Sequence, residues 1–127
     1  MGSKRFGELI VAKGKTVIWH NPRCSKSRQT LELLRENGIE PEIVEYLKTP
    51  PSAAEIATVI KQLNIEPRGL MRTGESVYKE LGLANVGDGK SLIAAMANNP
   101  VLIERPVVLH KGKSALGRPP EDVLKIL

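Results

Sequence analysis

The chain has 127 residues, the size of a single domain, and its net charge of +5 comes from 19 Lys and Arg against 14 Asp and Glu. No apolar run approaches the roughly 20 residues that a membrane-spanning helix needs, so a membrane protein is not expected. Nucleic-acid binding is disfavoured because the basic residues are scattered and aromatic residues make up only 3% of the chain.

Residues 1–15 precede the first predicted element and are expected to form an N-terminal extension. Their one apolar patch, Leu9-Ile10-Val11-Ala12, is shorter than the roughly 7–15 apolar residues of a signal-peptide core, and no small-residue cleavage pattern follows it. We therefore expect a cytoplasmic protein with one domain over residues 16–127. A short extra strand could form around the apolar patch.

The first part of this domain has the pattern of a strand, a helix and a strand. Residues 16–19 are apolar and β-branched, which predicts a buried strand, and the breaker His20-Asn21-Pro22 ends it. A helix is predicted over residues 25–37, with Gly38 as its C-terminal cap, and a second strand over residues 42–47. This spacing predicts a right-handed parallel crossover.

Residues 49–100 are expected to be a helical insertion. After Pro50-Pro51, Ser52 and Glu55 match a capping box that opens a helix with an apolar stripe. Further helices are predicted over residues 67–71, over residues 75–81 and, with Ser91 as its cap, over residues 92–98.

The strand pattern returns near the C-terminus. Residues 106–109 and 114–116 predict a β-hairpin with its turn at residues 111–113, and a final helix is predicted to start near Pro119-Pro120. The order is therefore βαβ, helical insertion, ββα. With a helix on each face, this order predicts an α/β protein with the thioredoxin-like fold and a mixed sheet.

The single cysteine, Cys24, lies between the first predicted strand and the first predicted helix. One cysteine cannot form an intramolecular disulfide and makes a zinc cluster very unfavourable, so no metal site is expected. At a helix start, the unpaired backbone N–H groups and the macrodipole favour a thiolate and also bind tetrahedral oxyanions. The side chains of Arg23, Lys26 and Arg28 are expected to add positive charge, and together these features predict a lowered thiol pKa and a reactive nucleophile.

Two neighbours of Cys24 bear on its chemistry. His20 is open to two interpretations: an imidazolium that favours the thiolate, or a polar residue at a strand end that caps the loop. Ser27 stands where a Cys-x-x-Cys motif would have its second thiol. Because the chain has no second cysteine, an oxidised Cys24 would have to be recycled by an external thiol.

Four motifs together resemble the arsenate reductase family that couples to glutathione and glutaredoxin. The segment His20-Asn21-Pro22-x-Cys24-x3-Arg28 is similar to the active-site loop of that family. Arg105-Pro106 matches the family's arginine before a cis-proline. Arg72 and Arg118, the latter in Arg118-Pro119, match two further arginines of the family. The resemblance covers residues 16–127, and it is specific because the motifs occur in order and at the right spacing.

The resemblance implies a mechanism in which the Cys24 thiolate attacks arsenate, glutathione attacks the adduct, and glutaredoxin completes the reduction and releases arsenite. It implies no tightly bound cofactor, glutathione as the reductant, and glutaredoxin as the protein partner of a monomer. The expected catalytic residues are Cys24, His20, Arg72, Arg105 and Arg118. Substrate binding is expected from Asn21, Ser27 and Arg28.

Arginine suits an oxyanion because its guanidinium is a planar fork of donors that stays charged. Not every arginine is expected to take this role. Arg35 and Arg68 match no motif and are expected to be solvated surface charges.

Two alternatives remain open. The first is a regulator related to the Spx transcription factors, which bind RNA polymerase and use a Cys-x-x-Cys switch; Ser27 argues against it. The second is a monothiol glutaredoxin-like oxidoreductase acting on glutathionylated proteins, which the sequence Cys24-x-x-Ser27 permits. The three matched arginines favour an oxyanion substrate instead.

Overall fold

A computed structural model describes residues 15–127 of the chain. Its four strands are β1 (Thr16–His20), β2 (Glu42–Glu45), β3 (Val107–His110) and β4 (Lys113–Leu116). Its four α-helices are α1 (Ser25–Glu36), α2 (Ala53–Leu63), α3 (Ser76–Glu80) and α4 (Gly89–Asn98). Short 3-10 helices span Pro67–Leu70, Leu83–Asn85, Pro100–Leu102 and Pro120–Ile126. The short strand considered near the N-terminus lies outside the described residues.

The strands form one mixed sheet in the order β2-β1-β3-β4. β1 pairs in parallel with β2, whereas β3 pairs antiparallel with both β1 and β4. This is the expected thioredoxin-like arrangement. In the parallel pair, His20 lies opposite Glu45, so β1 and β2 end at the same edge of the sheet.

Each face of the sheet packs against helices, because successive side chains of a strand point to opposite faces. On one face, Ile18 and Val108 pack with Leu34 of α1 and Val123 of the C-terminal 3-10 helix. The other face is larger and packs against the helical segment between β2 and β3. Its buried members in the sheet and directly after β2 are Val17, Trp19, Val44, Tyr46, Val107 and Leu109.

Helix α2 begins as its sequence predicts. The Ser52 hydroxyl accepts the N–H of Glu55 at 3.1 Å, and the Glu55 carboxylate accepts the N–H of Ser52 at 2.7 Å, which completes the capping box. The apolar stripe is buried through Ile56, Val59 and Ile60. Within residues 15–127, none of the helices combines the length and apolar character needed to cross a membrane.

Several expected element boundaries shift by a residue or more, and the largest differences concern β2, α4 and the C-terminal helix. Strand β2 ends at Glu45 because the Glu45 carbonyl accepts the N–H groups of Lys48 and Thr49, each at 2.9 Å, in a turn. Helix α4 begins three residues earlier than expected because Asp88, and not Ser91, is its N-cap. The Asp88 carboxylate accepts the Ser91 hydroxyl at 2.8 Å. The C-terminal helix is a 3-10 helix throughout.

The loops before β3 and after β4 pack tightly together at Gly117. A Cβ atom there would overlap the hydroxyl of Thr30 and lie 2.8 Å from Cγ of Pro106, so only glycine fits this position. The Arg105–Pro106 peptide bond is cis, as expected, and the Arg118–Pro119 bond is also cis, which was not expected. The close approach at Gly117 therefore brings two arginine-bearing loops together.

Candidate active site

The loop between β1 and α1 holds Cys24 at the start of the helix. The Asn21 carboxamide oxygen accepts the N–H of Arg23 at 3.0 Å, and the Asn21 carbonyl accepts the N–H of Cys24 at 3.0 Å. Cys24 itself has extended backbone angles and is the N-cap residue of α1. The side chain of an N-cap residue usually accepts hydrogen bonds from backbone N–H groups of the first helical turn. The half-buried side chain of Cys24 lies at this position.

The surroundings of Cys24 favour its thiolate. Burial raises the pKa of the thiol, but the backbone N–H of Ser27, a hydrogen bond from Arg105, the charge of Arg105 and the backbone N–H of Lys26 together bring the pKa below its ordinary value. The predicted direction of this shift is therefore confirmed. A cysteine with a lowered pKa is a stronger nucleophile at neutral pH because more of it is ionised.

The source of the positive charge at Cys24 differs from the prediction. The side chains of Arg23, Lys26 and Arg28 are not among the groups that lower the thiol pKa; Arg105 takes that place. Arg28 is exposed, and its guanidinium donates to the Pro22 carbonyl at 2.9 Å. This hydrogen bond stabilises the loop between β1 and α1. The predicted contact of Arg28 with substrate stays a prediction.

His20 is buried and bonded to Ser27. Its Nδ1 lies 2.6 Å from the Ser27 hydroxyl, which also accepts the N–H of Asn21 at 3.0 Å. Burial lowers the pKa of His20, the negative charge of Glu45 raises it, and the positive charges of Arg35 and Arg28 lower it further. The resulting pKa lies below the ordinary value of histidine. A neutral imidazole that accepts the Ser27 proton fits these contacts, which favours the loop-capping interpretation over an imidazolium beside the thiolate.

We expect Ser27→Ala to destabilise the protein by about 1–3 kcal/mol, because it leaves the buried Nδ1 of His20 and the N–H of Asn21 without a partner. Urea unfolding followed by circular dichroism measures this change. The exposed Ser76→Ala is the matched control, because the Ser76 hydroxyl makes no hydrogen bond within residues 15–127, and it should cost no more than about 0.5 kcal/mol. Equal stability of the two variants would contradict the capping role.

Among the three predicted arginines, Arg105 is the one that lowers the pKa of the Cys24 thiol. It also lowers the pKa of the Tyr46 phenol, so its guanidinium lies near both groups. Its backbone N–H donates to the Glu104 carboxylate at 3.2 Å. The cis peptide bond to Pro106 follows directly, at the start of β3.

Glu104 ties the other two predicted arginines to this loop. Its Oε1 lies 3.4 Å from Nη1 of Arg72 and 3.7 Å from Nε of Arg118. The Arg118 guanidinium also donates to the carbonyl of Arg105 at 3.2 Å, and Arg72 pairs with Glu75 at 3.0 Å. The structure therefore brings the three arginines into one cluster around a carboxylate.

A bridge between distant parts of the chain creates this cluster. Met71 pairs with Ile103 as an isolated antiparallel bridge. On either side of it, the N–H of Arg72 donates to the Leu102 carbonyl and the N–H of Glu104 donates to the Leu70 carbonyl, each at 2.7 Å. The helical segment is thereby fixed to the loop that carries Arg105.

The expectation for Arg68 is wrong. Its guanidinium donates to the Tyr78 hydroxyl at 2.5 Å, to the Leu83 carbonyl at 3.0 Å, and to the Val86 carbonyl. Arg68 is thus a partly buried residue whose guanidinium joins three segments of the helical insertion. Arg35 is half-exposed and pairs with Glu40 at 3.0 Å, as expected for a surface charge.

Two residues of the site were missed in the sequence. Glu104 could have been suspected because a carboxylate beside Arg105 is a natural partner for clustered arginines. Tyr46 could have been suspected because it directly follows β2, whose end lies at the same sheet edge as the end of β1. Ligand sites of sheets with parallel strands commonly lie at that edge.

Comparison with known proteins places this arrangement in a family. The sequence model of the ArsC family matches residues 19–126, which include Cys24 and the three clustered arginines. The chain belongs to the ArsC family. The match confirms the recognised resemblance, and it covers every described strand except the first residues of β1.

Individual relatives agree with the ArsC assignment. The chain is 54% identical to the Escherichia coli protein YfgD over 87% of this chain and 94% of that protein. It is 49% identical to an arsenate reductase of Neisseria meningitidis over 87% of this chain and 96% of that protein. A solved arsenate reductase of Vibrio cholerae is 49% identical, superposes with a TM-score of 0.87, and is matched over 91% of this chain and 99% of that one.

Proposed function

We propose that this chain is an arsenate reductase in which Cys24 is the nucleophile. The observation that carries the proposal is a cysteine at a helix N-terminus whose thiol pKa is lowered by backbone N–H groups of the helix and by Arg105. Relatives of nearly the same length carry the name arsenate reductase. A thiolate next to clustered guanidinium groups suits attack on the central atom of an oxyanion.

The first step forms a bond between Cys24 Sγ and arsenic and breaks one arsenic–oxygen bond, whose oxygen leaves as water after protonation. Arg105 stabilises the negative charge of the adduct, and Arg72 and Arg118 hold the remaining oxygens. Such donors, aimed at developing charge, lower the barrier of the step. The ion pairs of Arg72 and Arg118 with Glu104, and the hydrogen bond from the backbone N–H of Arg105 to the same carboxylate, hold the three residues together before substrate arrives.

The second step needs a thiol from outside, because Cys24 is the only cysteine of the chain. Glutathione attacks Cys24 Sγ, the sulfur–arsenic bond breaks, and arsenic leaves as arsenite with the electron pair. Two thiols thus supply the two electrons and end as a mixed disulfide between Cys24 and glutathione. Glutaredoxin then reduces this disulfide by thiol exchange.

A coupled assay tests the proposed function. The purified chain is mixed with arsenate, glutathione, glutaredoxin and glutathione reductase, and NADPH oxidation is followed. We expect arsenate-dependent oxidation that needs every component. A parallel assay supplies thioredoxin and its reductase in place of the glutathione system. Turnover there alone would overturn the glutathione coupling, and no turnover in either assay would overturn the arsenate assignment.

The same geometry separates this function from a glutaredoxin-like one. A glutathionylated protein presents a neutral disulfide to Cys24 and has no need for a cluster of three arginines. We therefore expect the wild-type chain to release glutathione from a glutathionylated test protein far more slowly than it reduces arsenate. High deglutathionylation without arsenate turnover would favour the alternative.

A further inference from the structure

Four buried side-chain atoms in residues 15–127 have no hydrogen-bond partner: Trp19 Nε1, Tyr46 Oη, Glu55 Oε2 and Arg105 Nε. Buried polar groups are nearly always paired, because an unpaired one costs free energy. Two of the four belong to Tyr46 and Arg105, which affect the pKa of each other and are both affected by Cys24, so the two side chains lie near one another and near the nucleophile. The side chain of Tyr46 is fully buried, so solvent does not satisfy its hydroxyl.

The fold explains why the phenol of Tyr46 is at this place. Tyr46 directly follows β2, and the last residue of that strand, Glu45, lies opposite His20 at the end of β1. The chain continues from His20 into the loop that carries Cys24. The charges of Arg105, Arg72 and Cys24 all act on the Tyr46 hydroxyl, so it lies near the nucleophile and near two of the clustered arginines.

Within the part of the chain that the structure describes, the Tyr46 hydroxyl has no hydrogen-bond acceptor. A guanidinium has only donors, so Arg105 could give the phenol oxygen a hydrogen bond but could not take one from it. Burial raises the pKa of Tyr46, although the charges of Arg105 and Arg72 lower it in part, and so the hydroxyl keeps its proton at neutral pH. Tyr46 is therefore a fixed hydrogen-bond donor without an acceptor, next to a group that attracts anions.

We propose that Tyr46 is an oxyanion-binding residue, whose hydroxyl donates a hydrogen bond to an oxygen of the anion held between Cys24 and Arg105. This inference rests on the proposed function and deepens it. An oxyanion has acceptors only, so it pairs at once with the free donors of Tyr46 and Arg105. In the free protein the two unpaired donors destabilise the site, and binding of the anion removes this destabilisation because it supplies their acceptors.

The test uses Tyr46→Phe, which removes only the hydroxyl. The matched control is Tyr78→Phe, because Tyr78 is the other tyrosine of the chain, is also buried, and has its hydroxyl bonded to Arg68. In the control, Nη1 of Arg68 keeps the Leu83 carbonyl as a partner. Arsenate binding is measured by titration calorimetry in the Cys24→Ser background, where no adduct forms, and kcat and KM are measured with Cys24 present.

We expect Tyr46→Phe to weaken arsenate binding by about ten- to a hundredfold, the range for a hydrogen bond to a charged group, and to lower kcat/KM similarly. Without arsenate, its Tm should equal or exceed that of the wild type, because an unpaired buried hydroxyl has been removed. Tyr78→Phe should show the opposite pattern, with unchanged arsenate affinity and a lower Tm.

Two results would overturn the role of Tyr46: unchanged arsenate affinity in Tyr46→Phe, or a Tm that falls without arsenate. A raised Cys24 pKa together with unchanged affinity would mean that the hydroxyl serves the thiolate. Failure of the proposed function is distinct from these outcomes. If the wild type does not reduce arsenate while Tyr46→Phe still weakens its binding, the enzyme assignment fails and the oxyanion site stands.

Discussion

Replacing Cys24 with serine is expected to abolish arsenate reduction, lowering kcat/KM by a factor of about 10⁴ or more, as for the loss of other catalytic nucleophiles. The serine hydroxyl is not ionised near neutral pH, and its oxygen cannot supply one of the two electrons that arsenic gains. The coupled NADPH assay measures the loss. Intact-mass analysis after incubation with arsenate and glutathione should show a glutathione adduct on the wild type only.

The fold should survive this substitution, which makes the result easy to interpret. Cys24 is the N-cap residue of α1, and serine is among the residues preferred at that position. We therefore expect thermal unfolding of Cys24→Ser to occur at or above the wild-type temperature. Activity above about 1% of wild type in a folded variant would show that another group forms the bond to arsenic.

Much of the fold could be predicted because its signals are local. The capping box at Ser52, the apolar strands and the breaker after Trp19 each lie within a few residues of the structure they specify. The errors have local causes too. The sequence predicts Ser91 as the cap of the last helix of the insertion, yet the Asp88 carboxylate accepts the N–H of Lys90 at 3.2 Å and starts α4 there. Competing caps such as Asp88 and Ser91 differ by too little free energy to be ranked from sequence.

The site was predictable only where it depends on one segment. The lowered pKa of Cys24 follows largely from its place at a helix start, which the sequence shows directly. The role of Glu104 depends on the bridge between Met71 and Ile103, which are far apart in the chain. Tyr46 has the pattern of an ordinary buried strand residue, and nothing in the sequence shows that its hydroxyl lacks a partner.

Arg105→Gln is expected to lower kcat/KM by about 10²–10³, the usual loss when one donor to a developing oxyanion is removed. It should also raise the pKa of Cys24, because Arg105 lowers that pKa both by a hydrogen bond and by its charge. The rate of alkylation by iodoacetamide follows the thiolate fraction and rises with pH. In the variant this rise should therefore move to higher pH.

The two effects of Arg105 can be separated by pH. Raising the pH of the Arg105→Gln assay restores the thiolate but not the lost donor, so activity should recover only in part. Arg35→Gln is the matched control, because Arg35 is half-exposed and its one ion pair within residues 15–127 is with Glu40, and a surface pair contributes little. The control should keep both the alkylation profile and kcat/KM of the wild type. If Arg105→Gln does the same, the charge that stabilises the Cys24 thiolate comes from elsewhere, and the helix N-terminus alone would have to account for the lowered pKa.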